Sequence, residues 1–128
     1  MSSFLKLLWV FLLSLGLNIV WENAHVFLYA SYQSAPITKY ILLRASVGDA
    51  IILTLLAIPF LYWDFFRKRI WLIIPLGVVV SIFIELYALH TGRWAYNEYM
   101  PLIQFLSIGL APTIQLGLLG FLVYLIVL

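Results

Sequence analysis

The sequence contains no cysteine, and that absence removes several kinds of chemistry at once. Without thiols there is no disulfide framework, no thiolate metal site and no cysteine nucleophile, and cysteine usage gives no information on the redox compartment. Charge is also scarce, because only 9% of the 128 residues are Asp, Glu, Lys or Arg. Soluble domains carry about 25% charged residues, so this composition is not that of an ordinary soluble domain.

Apolar residues fill the place that charge leaves empty. They make up 66% of the chain, and the mean hydropathy is +1.12. This composition predicts a membrane protein, and the length predicts a single domain over residues 1–128. Most of the net charge of +2 comes from the run Arg67-Lys68-Arg69, which suits anionic lipid head groups better than a nucleic acid. We therefore expect a lipid bilayer as the partner and no nucleic acid.

Four stretches are long enough to cross about 30 Å of hydrocarbon, which takes about 20 helical residues. The predicted spans cover about residues 4–30, 37–63, 70–90 and 102–128. Aromatic residues mark both ends of these spans, as in the aromatic belts of membrane proteins. One end has Trp9, Trp63 and Trp71, and the other has Tyr29, Tyr32, Tyr40, Trp94, Tyr96 and Tyr99. The predicted fold is an all-α membrane protein, an up-down-up-down bundle of four transmembrane helices.

The distribution of basic residues predicts the orientation. Lys6 and the run at 67–69 fall on one side, and Lys39 and Arg93 fall on the other. The positive-inside rule then places both termini in the cytoplasm of a multi-pass cell (inner) membrane protein. Lys6 followed by "LLWVFLLSLGL" also fits a cleaved signal peptide. The apolar run continues well beyond what a signal peptide requires, so we favour a first span.

Polar side chains interrupt these spans at matching depths. Asn18, Glu22, His25 and Tyr29 are spaced by four, three and four, which predicts one helical face. A charge at the bilayer centre costs about 2.5 to 3.5 kcal/mol on insertion scales, so such residues need partners. The other spans contribute further polar residues at similar depth, namely Arg44, Ser46, Asp49, Ser81, Glu85 and Gln115. The pattern predicts a polar pocket in the outer half of the bundle.

The charge balance of this pocket suggests acid-base chemistry. Three carboxylates accompany one intramembrane arginine, Arg44, which we expect to be their counter-ion. An acid left without a cation in low dielectric should stay protonated, and a neighbouring carboxylate is then a base. We predict Glu22 and Asp49 as the acid-base pair, with His25 and Glu85 setting their protonation.

Three functions remain open on this evidence. Acid-base chemistry suits isomerisation, cyclisation or hydration of an isoprenoid or lipid substrate. A small proton-coupled carrier would need the same residues, and an accessory subunit of a larger membrane complex would also carry a polar face. Whether the chain is an enzyme is therefore left undecided.

The loop "HTGRWAYNEYMP" is the densest polar and aromatic run in the chain. Its aromatic residues fit an interfacial belt, and Arg93 also fits bidentate binding of a carboxylate or phosphate head group. The predicted substrate-binding residues are Arg44, Arg93, Trp94, Tyr96 and Gln115.

Residue spacing raises the possibility of a metal site and of a dimer. "ENAH" has the Glu-x-x-His spacing of di-iron bundles, but it occurs once. A single metal at Glu22, His25 and either Asp49 or Glu85 is a minority alternative to the prediction of no metal and no cofactor. The small residues Gly109, Thr113 and Gly117 recur every four positions and predict close helix packing, within the chain or in a homodimer.

The C-terminal third carries a resemblance. "GRWAYNEYMPLI" followed by "IGLAPTIQL" resembles a pattern of small, uncharacterised bacterial integral membrane proteins with four predicted spans. That resemblance implies the membrane location and no particular activity. In its helical character and intramembrane acids, the chain is also similar in kind to membrane-embedded terpene and carotenoid cyclases, without a shared motif.

Overall fold

The computed structural model describes residues 1–32, 35–104 and 106–128, and four helices in these ranges are long and apolar enough to cross a membrane. This confirms the prediction of a mostly helical chain with four candidate membrane spans. Residues 33, 34 and 105, which fall in the predicted first loop and fourth span, lie outside the described part. The helices are α1 (Ser3–His25), α2 (Lys39–Tyr62), the short α3 (Asp64–Arg67), α4 (Ile73–His90) and α5 (Leu110–Val127).

Hydroxyl side chains cap two of the long helices. The backbone N–H of Leu5 donates to Ser2 Oγ at the start of α1, and the N–H of Ile41 donates to Thr38 Oγ1 at the start of α2, each at 3.2 Å. These bonds satisfy amides that have no partner within the helix. Short 3₁₀ turns extend the helical stretches, at Val26–Leu28 after α1 and at Ile70–Leu72 before α4.

Four short strands were absent from the predicted all-helical fold. β1 (Tyr29–Tyr32) pairs antiparallel with β2 (Trp94–Tyr96), and β3 (Leu102–Ile103) pairs antiparallel with β4 (Ile108–Gly109). The placement of Tyr29 on the face of the first helix was therefore wrong, because α1 ends at His25. Pairing with β2 holds the chain extended there, and the N–H of Asn97 donates to the carbonyl of Leu28 at 2.9 Å.

The fourth membrane helix begins eight residues later than predicted, at Leu110 instead of residue 102. The preceding apolar segment is a hairpin. Ser107 adopts a left-handed φ of 56°, and the N–H of Leu110 donates to the carbonyl of Pro101 at 2.7 Å. Hydropathy sums the apolar character of side chains and does not distinguish an apolar hairpin from a helix, which is why the boundary was missed.

Close backbone contact between α4 and α5 accounts for two glycines, Gly77 and Gly117. A Cβ atom added to Gly77 would lie 2.4 Å from the backbone nitrogen of Gly117, and one added to Gly117 would lie 2.6 Å from the carbonyl oxygen of Ile74. Gly109 and Thr113 are buried as well. Gly117 of the predicted ridge is thus used inside the chain, and a homodimer stays a prediction.

The two ends of the bundle differ in composition. Ser3, Lys6, Phe60, Leu61, Arg67 and Leu128 line one small cavity, so both chain ends lie near the basic run. We call this the basic end, and we call the end with the four strands the loop end. Helix α1 packs against α2 and α5, and α4 packs against α5, whereas α2 and α4 make few direct contacts with each other.

Candidate functional site

A cavity of about 280 Å³ lies between α2 and α4, in the loop-end half of the bundle. Its position fits the packing, because α2 and α4 have little direct contact and space remains between them. Apolar side chains such as Ile41, Leu42 and Ile84 form much of the wall, and the carboxyl groups of Glu22, Asp49 and Glu85 are on the wall as well. The volume is near the lower end of small-molecule sites, which span about 300 to 1,000 Å³.

One amide joins three helices at the deep side of this cavity. Gln115 Nε2 lies 2.7 Å from Asn18 Oδ1, 3.0 Å from Glu22 Oε1 and 2.9 Å from Asp49 Oδ2. Asn18 and Glu22 are one turn apart on α1, and the Asn18 amide donates in turn to the carbonyl of Ser14 at 2.7 Å. The structure therefore brings these polar side chains together, and their chemical roles stay predictions.

His25 completes this group on the α1 side. Its Nε2 and Glu22 Oε2 are 3.1 Å apart and form a hydrogen bond within α1. The ring is buried between Trp21 and Tyr29, which it meets edge to face, with centroid separations of 6.1 and 5.4 Å. Among the described atoms, His25 Nδ1 has no hydrogen-bond partner. His25 therefore touches the Glu22 carboxyl group through one nitrogen only.

Glu85 is held by aromatic donors, an arrangement that the sequence did not predict. Its Oε2 accepts from Trp94 Nε1 at 2.8 Å and from the Tyr96 hydroxyl at 2.7 Å, and its Oε1 accepts from the Tyr29 hydroxyl at 3.4 Å. Burial raises the pKa of Tyr29 and of Tyr96 well above the ordinary tyrosine value, and the charge of Glu85 raises both further. Both hydroxyls therefore keep their protons and remain donors, which ties β1 and β2 to α4.

The two arginines lie at the mouth of the cavity, away from its acids. Arg44 is exposed, with its guanidinium 5.8 Å from the centroid of the Tyr40 ring, and it makes no ion pair with any described acid. The expected counter-ion contact is therefore not formed. The Arg93 guanidinium, with a smaller effect from Arg44, lowers the pKa of Tyr32. Both arginines thus lie near that phenol.

Sequence reasoning missed the part that Tyr32 and Tyr87 play. Both line the cavity near Arg93, and the Tyr32 ring stacks on Trp94 with a centroid separation of 6.4 Å. Tyr32 was visible only as one more member of an aromatic belt. Its register opposite Trp94 in the paired strands β1 and β2 is what places it at the cavity, and that register had no signal in the sequence.

The metal alternative gains nothing from the geometry. Within residues 1–32, 35–104 and 106–128, no group of three or more His, Asp and Glu side chains is arranged to hold a metal ion. Glu85 is engaged by its three aromatic donors, and His25 Nε2 is engaged by Glu22. The prediction of no cofactor stays a prediction.

The fold and site define a class, namely a small helical protein with four candidate membrane spans around a polar cavity. Comparisons with protein families, with curated proteins and with solved structures find no match to the chain. The resemblance of the C-terminal third to small bacterial membrane proteins therefore stays a prediction. The residues that line the cavity are therefore the features that indicate a function.

Proposed function

We propose that this protein is a membrane enzyme that performs acid-base chemistry on an unsaturated lipid or isoprenoid chain, with Glu22 and Asp49 as the reacting pair. The observation that carries the proposal is the meeting of these two carboxyl groups on the Gln115 amide, at the deep side of a largely apolar cavity. Ionisable groups placed inside a membrane bundle are costly and are usually retained for function.

The hydrogen-bond inventory of the pair supports a shared proton. The Gln115 amide nitrogen carries two protons, whereas three oxygen acceptors surround it at 3.0 Å or less. A proton on Glu22 or on Asp49 supplies the missing donor. A protonated carboxyl group beside an ionised one is the arrangement that lets two like residues serve as acid and base.

The reaction that this pair would perform is balanced in protons. The protonated carboxyl group gives its proton to one carbon of a C=C bond, so a C–H bond forms and a carbocation remains. The ionised carboxylate then removes a proton from an adjacent carbon, and the double bond forms at the new position. Cyclisation shares the first step, with a second C=C bond attacking the cation before the proton is lost. Exchange of a proton between the neighbouring carboxyl groups restores the starting state.

The interior beyond the pair favours an enclosed site over a carrier. Towards the basic end the bundle is filled by apolar side chains, including Val10, Leu53, Ala57 and Val123, which are fully buried. The buried hydroxyl of Tyr124 is used inside this core, since it donates to the carbonyl of Leu53. A carrier would need polar groups continuing through this region, and an enclosed pocket does not.

The test compares lipid extracts by untargeted mass spectrometry. Cells express the wild type, Glu22→Gln, Asp49→Asn or Asp64→Asn at matched protein levels, and a fifth strain carries an empty vector. Asp64→Asn is the control because Asp64 is an exposed acid at the basic end. We expect the wild type and Asp64→Asn to convert a lipid into an isomer, and the two pocket variants to lose about 100-fold or more of that conversion.

Identical extracts from all five strains, with folded and abundant protein, would refute the enzyme proposal. A carrier or an accessory subunit would then be the better interpretation, and copurifying partners would be the next measurement.

A further inference from the structure

We propose that the substrate carries a phosphate head group, which Arg44 and Arg93 bind at the mouth of the cavity while its hydrocarbon chain enters between α2 and α4. This inference rests on the proposed function for the role of the acid pair. The head-group site itself is argued from the charges and the shape of the cavity mouth alone.

The mouth of the cavity carries two positive charges. Arg44 and Arg93 both line the cavity, and neither forms an ion pair with a described acid. Tyr32 lines the same cavity, and the guanidinium group of Arg93, with a smaller effect from Arg44, lowers the pKa of its hydroxyl. Two unneutralised guanidinium groups beside a cavity form a site for an anion, because each offers several N–H donors in a planar fork.

The charge at the mouth indicates which kind of anion binds there. Two adjacent positive charges match a phosphate monoester, which carries between one and two negative charges at neutral pH, better than a carboxylate with one. A phosphate also has enough oxygens to accept from two guanidinium groups at once. The Tyr32 hydroxyl, which belongs to a residue lining the same cavity, adds a further hydrogen-bonding group.

The space between α2 and α4 offers a path for the hydrocarbon chain. Helices α2 and α4 make few direct contacts, and the walls between them include Ile37, Ile41 and Ile84. A cavity with two arginines at its loop-end mouth and apolar side chains along its walls fits an amphiphile better than a free ion. The apolar wall therefore favours a lipid over inorganic phosphate.

The positions of Arg44 and Asp49 in α2 determine the distance from the head group to the acids. Asp49 follows Arg44 by five residues in α2, which corresponds to about 7.5 Å along the helix axis. The Arg44 guanidinium is near Tyr40, four residues further towards the loop end, so the head group binds at a larger separation than this. The acid pair therefore faces the chain a short way from the phosphate, which predicts reaction near the head of the substrate.

The experiment measures binding and needs no turnover. The protein is placed in nanodiscs of neutral phosphatidylcholine, and the affinities of dodecyl phosphate, dodecanoate, dodecanol and inorganic phosphate are measured. The variants are the pair Arg44→Gln with Arg93→Gln, and as a control the pair Arg67→Gln with Arg69→Gln at the basic end. The four arginines are exposed or only partly buried, so these changes leave the core intact.

We expect the wild type to bind dodecyl phosphate at least tenfold more tightly than dodecanol, with dodecanoate between them and inorganic phosphate weak. The Arg44 and Arg93 double variant should lose this preference while its binding of dodecanol stays unchanged, and the basic-end variant should keep the preference. A mouth variant that retains the preference would overturn the proposal, as would equal binding of inorganic phosphate, or equal loss in the control, which would indicate non-specific charge.

Failure of this inference is distinguishable from failure of the proposed function. The double variant Glu22→Gln with Asp49→Asn should still bind dodecyl phosphate, because its head-group arginines are intact. Binding that survives in this variant, together with unchanged lipid extracts, would refute the acid-base chemistry and retain the head-group site. Altered lipid extracts together with no preference for dodecyl phosphate would do the reverse.

Discussion

The two halves of this bundle are built from the same helices but by different interactions. Towards the basic end, apolar side chains such as Leu53, Phe60 and Val123 fill the interior. Towards the loop end, the interior holds Asn18, Glu22 and Gln115 beside a cavity. The packed half keeps the helices together, and this allows the other half to retain the polar groups and the empty space that lower stability.

The largest effect should come from the contact that fixes the packed half. Gly77→Ala places a Cβ atom 2.4 Å from the backbone of Gly117, which no side-chain rotation relieves. We expect a loss of at least about 3 kcal/mol in the free energy of unfolding, measured by SDS titration, or loss of folded protein in detergent. Gly16→Ala is the control, because nothing lies within 4 Å of its added Cβ and alanine favours a helix. Equal stability of the two variants would contradict the close contact.

A second prediction sets the two halves against each other. Gln115→Leu removes the donor shared by Asn18, Glu22 and Asp49, and leaves these buried acceptors without it. We expect a loss of about 2 to 4 kcal/mol in the same SDS titration. Tyr124→Phe removes one hydrogen bond in the packed half, to the carbonyl of Leu53, and should cost about 1 kcal/mol. If Tyr124→Phe proved the more harmful change, the polar network would not be holding its half together.

A third and smaller effect concerns the strands at the loop end. Glu85→Gln keeps one acceptor oxygen and replaces the other with an amide nitrogen, which cannot accept. Either Trp94 Nε1 and the Tyr96 hydroxyl lose their shared acceptor, or the Tyr29 hydroxyl loses its own, and the remaining bonds are no longer made to a charged group. We expect about tenfold faster hydrogen exchange of the backbone amides in 94–97, with little change within α5. Glu98→Gln is the matched control, because Glu98 is an exposed acid in the same loop. Unchanged exchange in Glu85→Gln would show that β2 is held by other contacts.

The sequence predicted the parts of this molecule that depend on helix periodicity and depth. Glu22 and Asp49 lie at depths that could be counted from the ends of the first two apolar spans, and both accept from the Gln115 amide. The start of α5 was missed because residues 102–109 are as apolar as a helix, and only the backbone pairing of β3 with β4 distinguishes them.

The surroundings of Arg44 and Glu85 show a second limit of sequence reasoning. Arg44 was expected to pair with the acids, since opposite charges in low dielectric attract. In the structure its guanidinium lies towards Tyr40 and the loop end instead, as long basic side chains do near a membrane surface. Glu85 receives its donors from residues 29, 94 and 96, so its environment depends on how two distant segments pair and not on local spacing.

The late start of α5 has a mechanical meaning for the membrane around the protein. Eighteen helical residues rise about 27 Å, whereas the 24 residues of α2 rise about 36 Å. The shorter helix is about 3 Å too short for a hydrocarbon layer of about 30 Å even when upright, and the longer one fits by tilting. Leu102 and Leu106 are exposed just before the short helix, and Leu110 is exposed at its first residue, so the exposed apolar surface continues from the helix onto the preceding segment. The protein thereby presents an uneven hydrophobic thickness, and the lipids on the α5 side meet a non-helical rim.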